Sequence, residues 1–211
     1  MTVVWNVNNL KILHKNGDTV DALTRKLSER YKKEADLIIH RGKVHTYLGI
    51  NIDYHEQGKV KIDMTDYPKK ILDDLPDKYQ GRAITPATNH IFEVNETVRK
   101  LREKEAQAFY TIVEKLLFLC KQTQPDILTG VDFLTTRVIY PNKDKDKKLA
   151  RILKYIRGRR DILLTLESDG IGTVKWGMDA EFAVYHNTKS QTGGMMTMGR
   201  GALYYASSKQ K

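Results

Sequence analysis

The spacing of apolar residues changes character several times along the chain. Residues 3–7 and 10–14 are short strand-like runs on either side of Asn8-Asn9, and asparagine tolerates the positive φ that a two-residue hairpin turn needs. Asn16-Gly17-Asp18 offers a turn and a helix N-cap, after which Val20, Leu23 and Leu27 recur at helical spacing to about Tyr31. Residues 44–54, VHTYLGINIDY, alternate with a period of two and predict one continuous strand. Val44, Thr46, Leu48, Ile50, Ile52 and Tyr54 would share one face, and His45, Tyr47, Gly49, Asn51 and Asp53 the other. HEQG then reads as a hairpin loop before a second alternating run, Val60, Ile62 and Met64. Thr65 can cap a short helix with Pro68 in its first turn and Tyr67, Ile71, Leu72 and Leu75 on its apolar side.

Residues 76–100 hold two prolines among scattered polar groups and read as a long connection. Helical spacing returns beyond it. Ala106, Phe109, Tyr110, Val113, Leu116, Leu117 and Cys120 make one stripe. Pro125 opens a second helix with Leu128, Val131, Leu134 and Val138 inward. A third helix, about 145–156, turns Leu149, Ile152, Leu153 and Ile156 inward and sets Lys147, Arg151 and Lys154 on another face. Strands are expected again at 162–166, 174–178, 192–198 and 202–206. The order of hairpins, helices and strands predicts an α+β chain.

Composition narrows the function classes. The chain has 211 residues and a formal charge of +10. That excess favours polyanionic partners, although many basic proteins bind no nucleic acid. No apolar run approaches the ~20 residues needed to span a membrane, and the N-terminus lacks the pattern of a signal peptide. One cysteine, Cys120, excludes an intrachain disulfide framework, so cytosol or nucleus is expected.

WNVNNL, residues 5–10, resembles the polymerase hairpin of reverse transcriptases from copia-type LTR retrotransposons. Later segments extend the likeness in the expected order. YLGINID (47–53) and YPKKILDDL (67–75) resemble the strand that helps to grip the primer and the helix after it. ITPATNH (84–90) is similar to the Thr-Pro linker. FYTIVEKLLFLCKQTQPDI (109–127) and LARILKYIRG (149–158) are similar to the helical connection. GMDAEFAVYHNTKSQTGGMMTMGRGALYYASSKQK (177–211) resembles the opening of the RNase H domain. The resemblance implies a partial polymerase palm over 1–80, a linker and helical thumb or connection over 81–160, and the start of an RNase H-like domain over 161–211.

Departures from the family pattern bear on chemistry. A nucleotidyl-transfer polymerase holds two divalent cations, with Mg2+ bound mainly by carboxylates. The family's aspartate pair is Asn8-Asn9 here, which offers carbonyl oxygens but no charge. The family's upstream aspartate and nucleotide-binding fingers have no counterpart in the seven residues before Asn8. The resemblance puts the first nuclease carboxylate, a metal ligand, at Asp179, with Glu181 at a frequent second acidic position. The helix that should bear the next glutamate lies beyond SSKQK. Neither polymerase nor nuclease activity is therefore expected. Asn-Asn also makes a good turn, and Asp179 could be a solvated residue at a strand end.

The remaining candidates concern binding. By the resemblance, Tyr47, Leu48 and Gly49 would contact the primer. Lys69 and Lys70 on the short helix, Lys147, Arg151 and Lys154 on one helical face, and Arg157 with Arg159 and Arg160 beside Gly158 could contact phosphates. The six histidines, at 14, 40, 45, 55, 90 and 186, show no paired ligand spacing. Cys120 lies on an apolar stripe, where a buried thiol is inert. Asp73-Asp74 reads as an exposed helix end.

Four functions remain open. The chain is expected to be an inactive fragment of a retrotransposon reverse transcriptase and RNase H. The alternatives are a module binding RNA, DNA or their hybrid, a protein that self-associates through exposed sheet edges, and a relic without function.

Overall fold

The N-terminal hairpin forms one residue earlier than the asparagine pair suggests. The computed structural model describes residues 1–170, 172–185 and 187–210. In it β1 (Thr2–Asn6) pairs with β2 (Asn9–Leu13), and Asn6 lies opposite Asn9. The turn residues are Val7 and Asn8, so Asn9 opens the second strand. Positive φ falls on Val7, at 47°, an unusual conformation for a β-branched side chain. The Trp5 indole N–H donates to the Val7 carbonyl and closes this turn from outside. Helix α1 (Gly17–Tyr31) follows, capped as expected by Asn16, whose side-chain oxygen accepts from the Asp18 N–H at 2.7 Å. None of residues 1–49 is buried.

The strand expected over 44–54 is a hairpin instead. β3 (Val44–Tyr47) and β4 (Ile50–Asp53) pair antiparallel around Leu48-Gly49. Both turn residues have positive φ, 53° and 77°, as the favoured two-residue hairpin turn requires. The register puts His45 with Ile52 and Tyr47 with Ile50 on one face. Ile50 is buried there while Val44 and Thr46 are exposed. The turn thus reverses the face expected of Val44, Thr46 and Leu48 relative to Ile50. Leu48 pays for its left-handed backbone with about 1 kcal/mol. Leu48→Asn is expected to raise stability by roughly 0.5–1 kcal/mol, measured as the urea midpoint. A lower midpoint would count against this turn.

β5 (Lys59–Asp63) continues the sheet and leads into α2 (Asp66–Asp73), then a 3-10 turn at Asp77–Tyr79. The helical core is α3 (Glu103–Gln122), α4 (Leu128–Thr135) and α5 (Lys143–Arg157), with a 3-10 turn, Pro125–Ile127, before α4. Phe109, Leu116, Leu119, Phe133, Leu149 and Leu153 are wholly buried where these helices meet. The inward face of α3 includes Ile112 and Leu119, whereas Tyr110 is exposed. Val138 falls beyond the end of α4 and packs against the core from outside it.

The described residues beyond α5 form β6 (Leu164–Ser168), β7 (Lys175–Glu181), β8 (Gln191–Thr197), β9 (Gly199–Arg200) and β10 (Tyr204–Lys209). β6 pairs with β5 and makes a five-stranded sheet of order β3-β4-β5-β6-β9. Its strands come from both sides of the helical region. β10, β8 and β7 make a separate three-stranded sheet, and every strand pair named here is antiparallel. The architecture is α+β. This second sheet is fastened to α4 by buried Gln191. Its amide N–H groups donate to Asp132 at 3.1 Å and Ser207 at 2.6 Å, and its carbonyl accepts from the Tyr185 hydroxyl at 2.7 Å. No helix among the described residues is long and apolar enough to cross a membrane.

Charged side chains hold the long connection, 76–100, against the helices. Lys145, 2% exposed, donates to Glu96 and to the Tyr140 carbonyl. Asp146 accepts from the Tyr79 hydroxyl at 2.6 Å and from Lys78 at 2.9 Å. Glu105 in the first turn of α3 meets Lys143 at 2.9 Å, the Arg102 N–H at 2.9 Å and Arg99 at 3.1 Å. Lys143 first, then the Arg102 N–H, lowers the Glu105 carboxyl from its ordinary 4.5 to about 2. A carboxyl with a depressed folded-state pKa stabilises above its unfolded value and loses that contribution as pH falls through the folded one. Urea midpoints of the wild type are therefore expected to approach those of Glu105→Gln between pH 4.5 and 2. A gap that stays constant over this range would contradict the ion pairs.

Candidate nucleic-acid interface

The face of α5 opposite its buried stripe carries Lys147, Arg151 and Lys154. Seven residues of helix place the first and last about 10 Å apart along the axis. The connection runs along this face and makes a second wall. The Ala83 N–H donates to the Lys154 carbonyl at 3.3 Å. Arg151 donates through Nη2 to the Thr85 hydroxyl at 2.8 Å. Lys148 reaches the Glu93 carbonyl at 2.6 Å. Between the walls lies a groove of about 770 Å³, with Arg82 and Ile84 on the connection side. Ile84, among the residues lining the groove, is 93% exposed.

The charges of the groove separate into two groups. Lys148 pairs with Asp144 at 2.5 Å, and His90 meets Glu93 at 2.6 Å. Arg82, Lys147, Arg151 and Lys154, which line the same groove, have no carboxylate within ion-pair distance among the described residues. Four cations outside ion-pair distance of a carboxylate, against the two carboxylates Glu93 and Asp144 in the same concavity, leave a net positive, anion-attracting surface. Arg82 and Thr85 carried no sequence signal for this role. They stand some 65 residues from their α5 partners, and only the fold brings them together.

Other expected contact residues lie elsewhere. Arg157 turns toward α2, where Nη2 meets the Leu72 carbonyl at 3.4 Å and Nε is buried without a partner. Lys69 stands 3.6 Å from Asp66 and 4.0 Å from Asp161, whereas Lys70 is exposed. Arg159 donates to the Tyr155 hydroxyl, and Arg160 lies 3.8 Å from Asp161. Tyr47, Leu48 and Gly49 form the end of β3 and its turn, with the Tyr47 hydroxyl buried and unpartnered.

Asn8 and Asn9 are both exposed at the first hairpin, and residues 1–17 contain no carboxylate side chain. Two neutral amides do not fit a magnesium pair, which needs hard anionic oxygens. Asp179 is exposed on β7, and its Oδ1 accepts from the Ala180 N–H at 2.9 Å. Glu181 shares its face, two residues along the strand. Among the described residues no three His, Cys, Asp or Glu side chains group as metal ligands would. His186 lies outside the described residues. Cys120 is buried, and desolvation pushes its thiol up to about 12, so at neutral pH it carries no nucleophilic thiolate. Asp73 and Asp74 are exposed.

The chain is similar to known proteins over most of its length. It is 26% identical over 196 residues to a Saccharomyces cerevisiae protein attributed to transposon Ty5-1, across 90% of this chain and 62% of that protein. It is 26% identical over 170 residues to an uncharacterized mitochondrial protein of Arabidopsis thaliana, across 80% of this chain and 69% of that one. The chain thus spans less than two thirds of its transposon relative. No protein-family profile and no solved structure matches it. These similarities support a transposon-derived protein.

Proposed function

We propose that this chain is a fragment of a copia-type retrotransposon polyprotein that binds nucleic acid and does not polymerise it. In this reading residues 1–80 derive from a reverse-transcriptase palm, 81–160 from a linker and thumb, and 161–211 from the start of an RNase H-like domain. The groove beside α5 carries the binding half of the proposal: four cations that pair with no carboxylate line one net positive concave surface. These cations would displace counterions condensed on the phosphates, giving affinity that is independent of base sequence and steeply dependent on salt. The similarity to a transposon protein supports the ancestry. Two amides at Asn8 and Asn9 in place of carboxylates support the loss of metal-dependent polymerisation.

Primer extension on an RNA template, with Mg2+ and all four deoxynucleotides, tests the catalytic half. The same labelled hybrid reports cleavage. The expected result is unextended and uncut hybrid. Extension by purified protein would overturn the assignment.

One observation favours self-association as a second reading. Val3, Trp5, Val7 and Leu10 are all exposed on the first hairpin, whose two strands, among the described residues, pair with each other alone. Unpaired edges and apolar faces together favour association. Sedimentation at rising concentration tests it, and a monomer throughout would exclude it.

A further inference from the structure

The groove has a shape and an internal hydrogen bond that specify more than a basic patch would. We propose that it takes a single phosphodiester strand rather than a duplex, and that Thr85 is the residue that orients Arg151 toward that strand. This rests on the nucleic-acid reading above and assigns its ligand and geometry.

The Thr85 hydroxyl has one proton, and it donates that proton to the Ala87 carbonyl at 2.9 Å. The same oxygen accepts from Arg151 Nη2 at 2.8 Å. With its proton committed, the hydroxyl faces the guanidinium as an acceptor only. Pro86 lies between Thr85 and Ala87 and restricts the backbone that carries both bonds. Arg151 Nε is buried without a partner. The guanidinium fork is thus held on one side. Nη1 and the second Nη2 proton remain for a ligand in the groove. A held fork loses less freedom on meeting a phosphate than a loose one.

The surroundings favour one strand. Lys147 and Lys154 lie on α5 to either side of Arg151, and Arg82 faces them from the connection. The three α5 cations follow a line about 10 Å long, which suits consecutive phosphates of one strand. They line a concavity together with the exposed Ile84. A strand can set an unpaired base against this apolar side chain while its phosphates meet the cations, whereas the bases of a duplex are already paired and stacked and offer no free face to Ile84. The contacts are to phosphates, so RNA and DNA strands share the site.

The test is fluorescence-anisotropy titration of the full chain with labelled single-stranded RNA, single-stranded DNA and a duplex of equal length, each over a salt series. Thr85→Val keeps the shape and removes the acceptor. It is expected to weaken both single strands by about tenfold or more, the effect of one charge-assisted hydrogen bond, with the salt slope unchanged. Thr85→Ser restores the affinity. Arg151→Gln also weakens binding and lowers the magnitude of the slope by about 0.7, one single-strand phosphate contact. Duplex binding is expected to be weaker and indifferent to Thr85→Val. Wild-type binding of strands that neither variant changes would overturn the groove assignment. So would a duplex bound as tightly as a strand and equally sensitive to Thr85→Val. A folded wild type that binds none of the three would overturn the nucleic-acid reading itself. Thermal melts of each variant separate these results from misfolding.

Discussion

Replacing Lys147, Arg151 and Lys154 together by glutamate is expected to reduce single-strand affinity several hundredfold at 50 mM salt. Each phosphate contact with a single strand contributes a slope of about −0.7 to the logarithm of affinity against that of salt. Three contacts give about −2. Between 1 M and 50 mM salt, a twentyfold change, that slope amounts to a factor on the order of 500. Three new carboxylates add repulsion, so the factor is a lower bound. The side chains lie on the face of α5 opposite Leu149, Ile152, Leu153 and Ile156, all buried, so helix and core are expected to persist. Circular dichroism and the urea midpoint check this, and anisotropy checks the affinity. The corresponding glutamine variants should lose the slope of −2 without the added repulsion. Unchanged binding by a folded triple variant would move the site away from α5.

Asp146→Ala is expected to destabilise the protein by about 3 kcal/mol. Asp146 is 7% exposed and accepts from both Tyr79 and Lys78. Burial, and then the hydrogen bond to Asp146, raises the Tyr79 phenol well above its ordinary pKa, so the hydroxyl remains a donor at any physiological pH. Truncating the carboxylate leaves that buried donor without an acceptor and Lys78 without its counter-charge. Removing one partner of a buried pair typically costs about 3–5 kcal/mol, and the partial exposure of Lys78 places this case at the low end. In a chain of this size the melting temperature should fall by roughly 6–12 °C. Asp146→Asn keeps an acceptor for Tyr79 and should lose less. Because the same carboxylate ties the connection to α5, Asp146→Ala should also weaken strand binding. A midpoint within 1 kcal/mol of the wild type would show that the connection is held by its apolar contacts, Tyr79, Ile91 and Phe92, instead.

Local periodicity made some parts of this molecule legible and misled at others. The stripe in α5 is strongly amphipathic, and both its buried and its basic faces are as the spacing implies. The run 44–54 misled because strict alternation reads as one strand, and only Gly49 marked the turn. A two-residue turn inserts an odd step, so the strand after it presents the opposite parity to the core. At the first hairpin the asparagines attracted the turn, yet the register places Val7 there and makes Asn9 a strand residue. The charged core at the start of α5 was illegible. Lys145 and Asp146 look like solvent-facing residues, and their partners Glu96 and Tyr79 lie in a segment without periodicity. The groove was half legible for the same reason. Its α5 wall follows from helical spacing, while Arg82 and Thr85 join it only through tertiary packing.

Anisotropy of a labelled single strand and of an RNA–DNA hybrid, at low and high salt with Mg2+ present, tests the central claim most directly. The four groove cations predict a logarithmic salt slope near −3 for the single strand, with no extension or cleavage of the hybrid. A folded, monodisperse sample that binds neither probe at low salt, or binds with no salt dependence, would contradict the account.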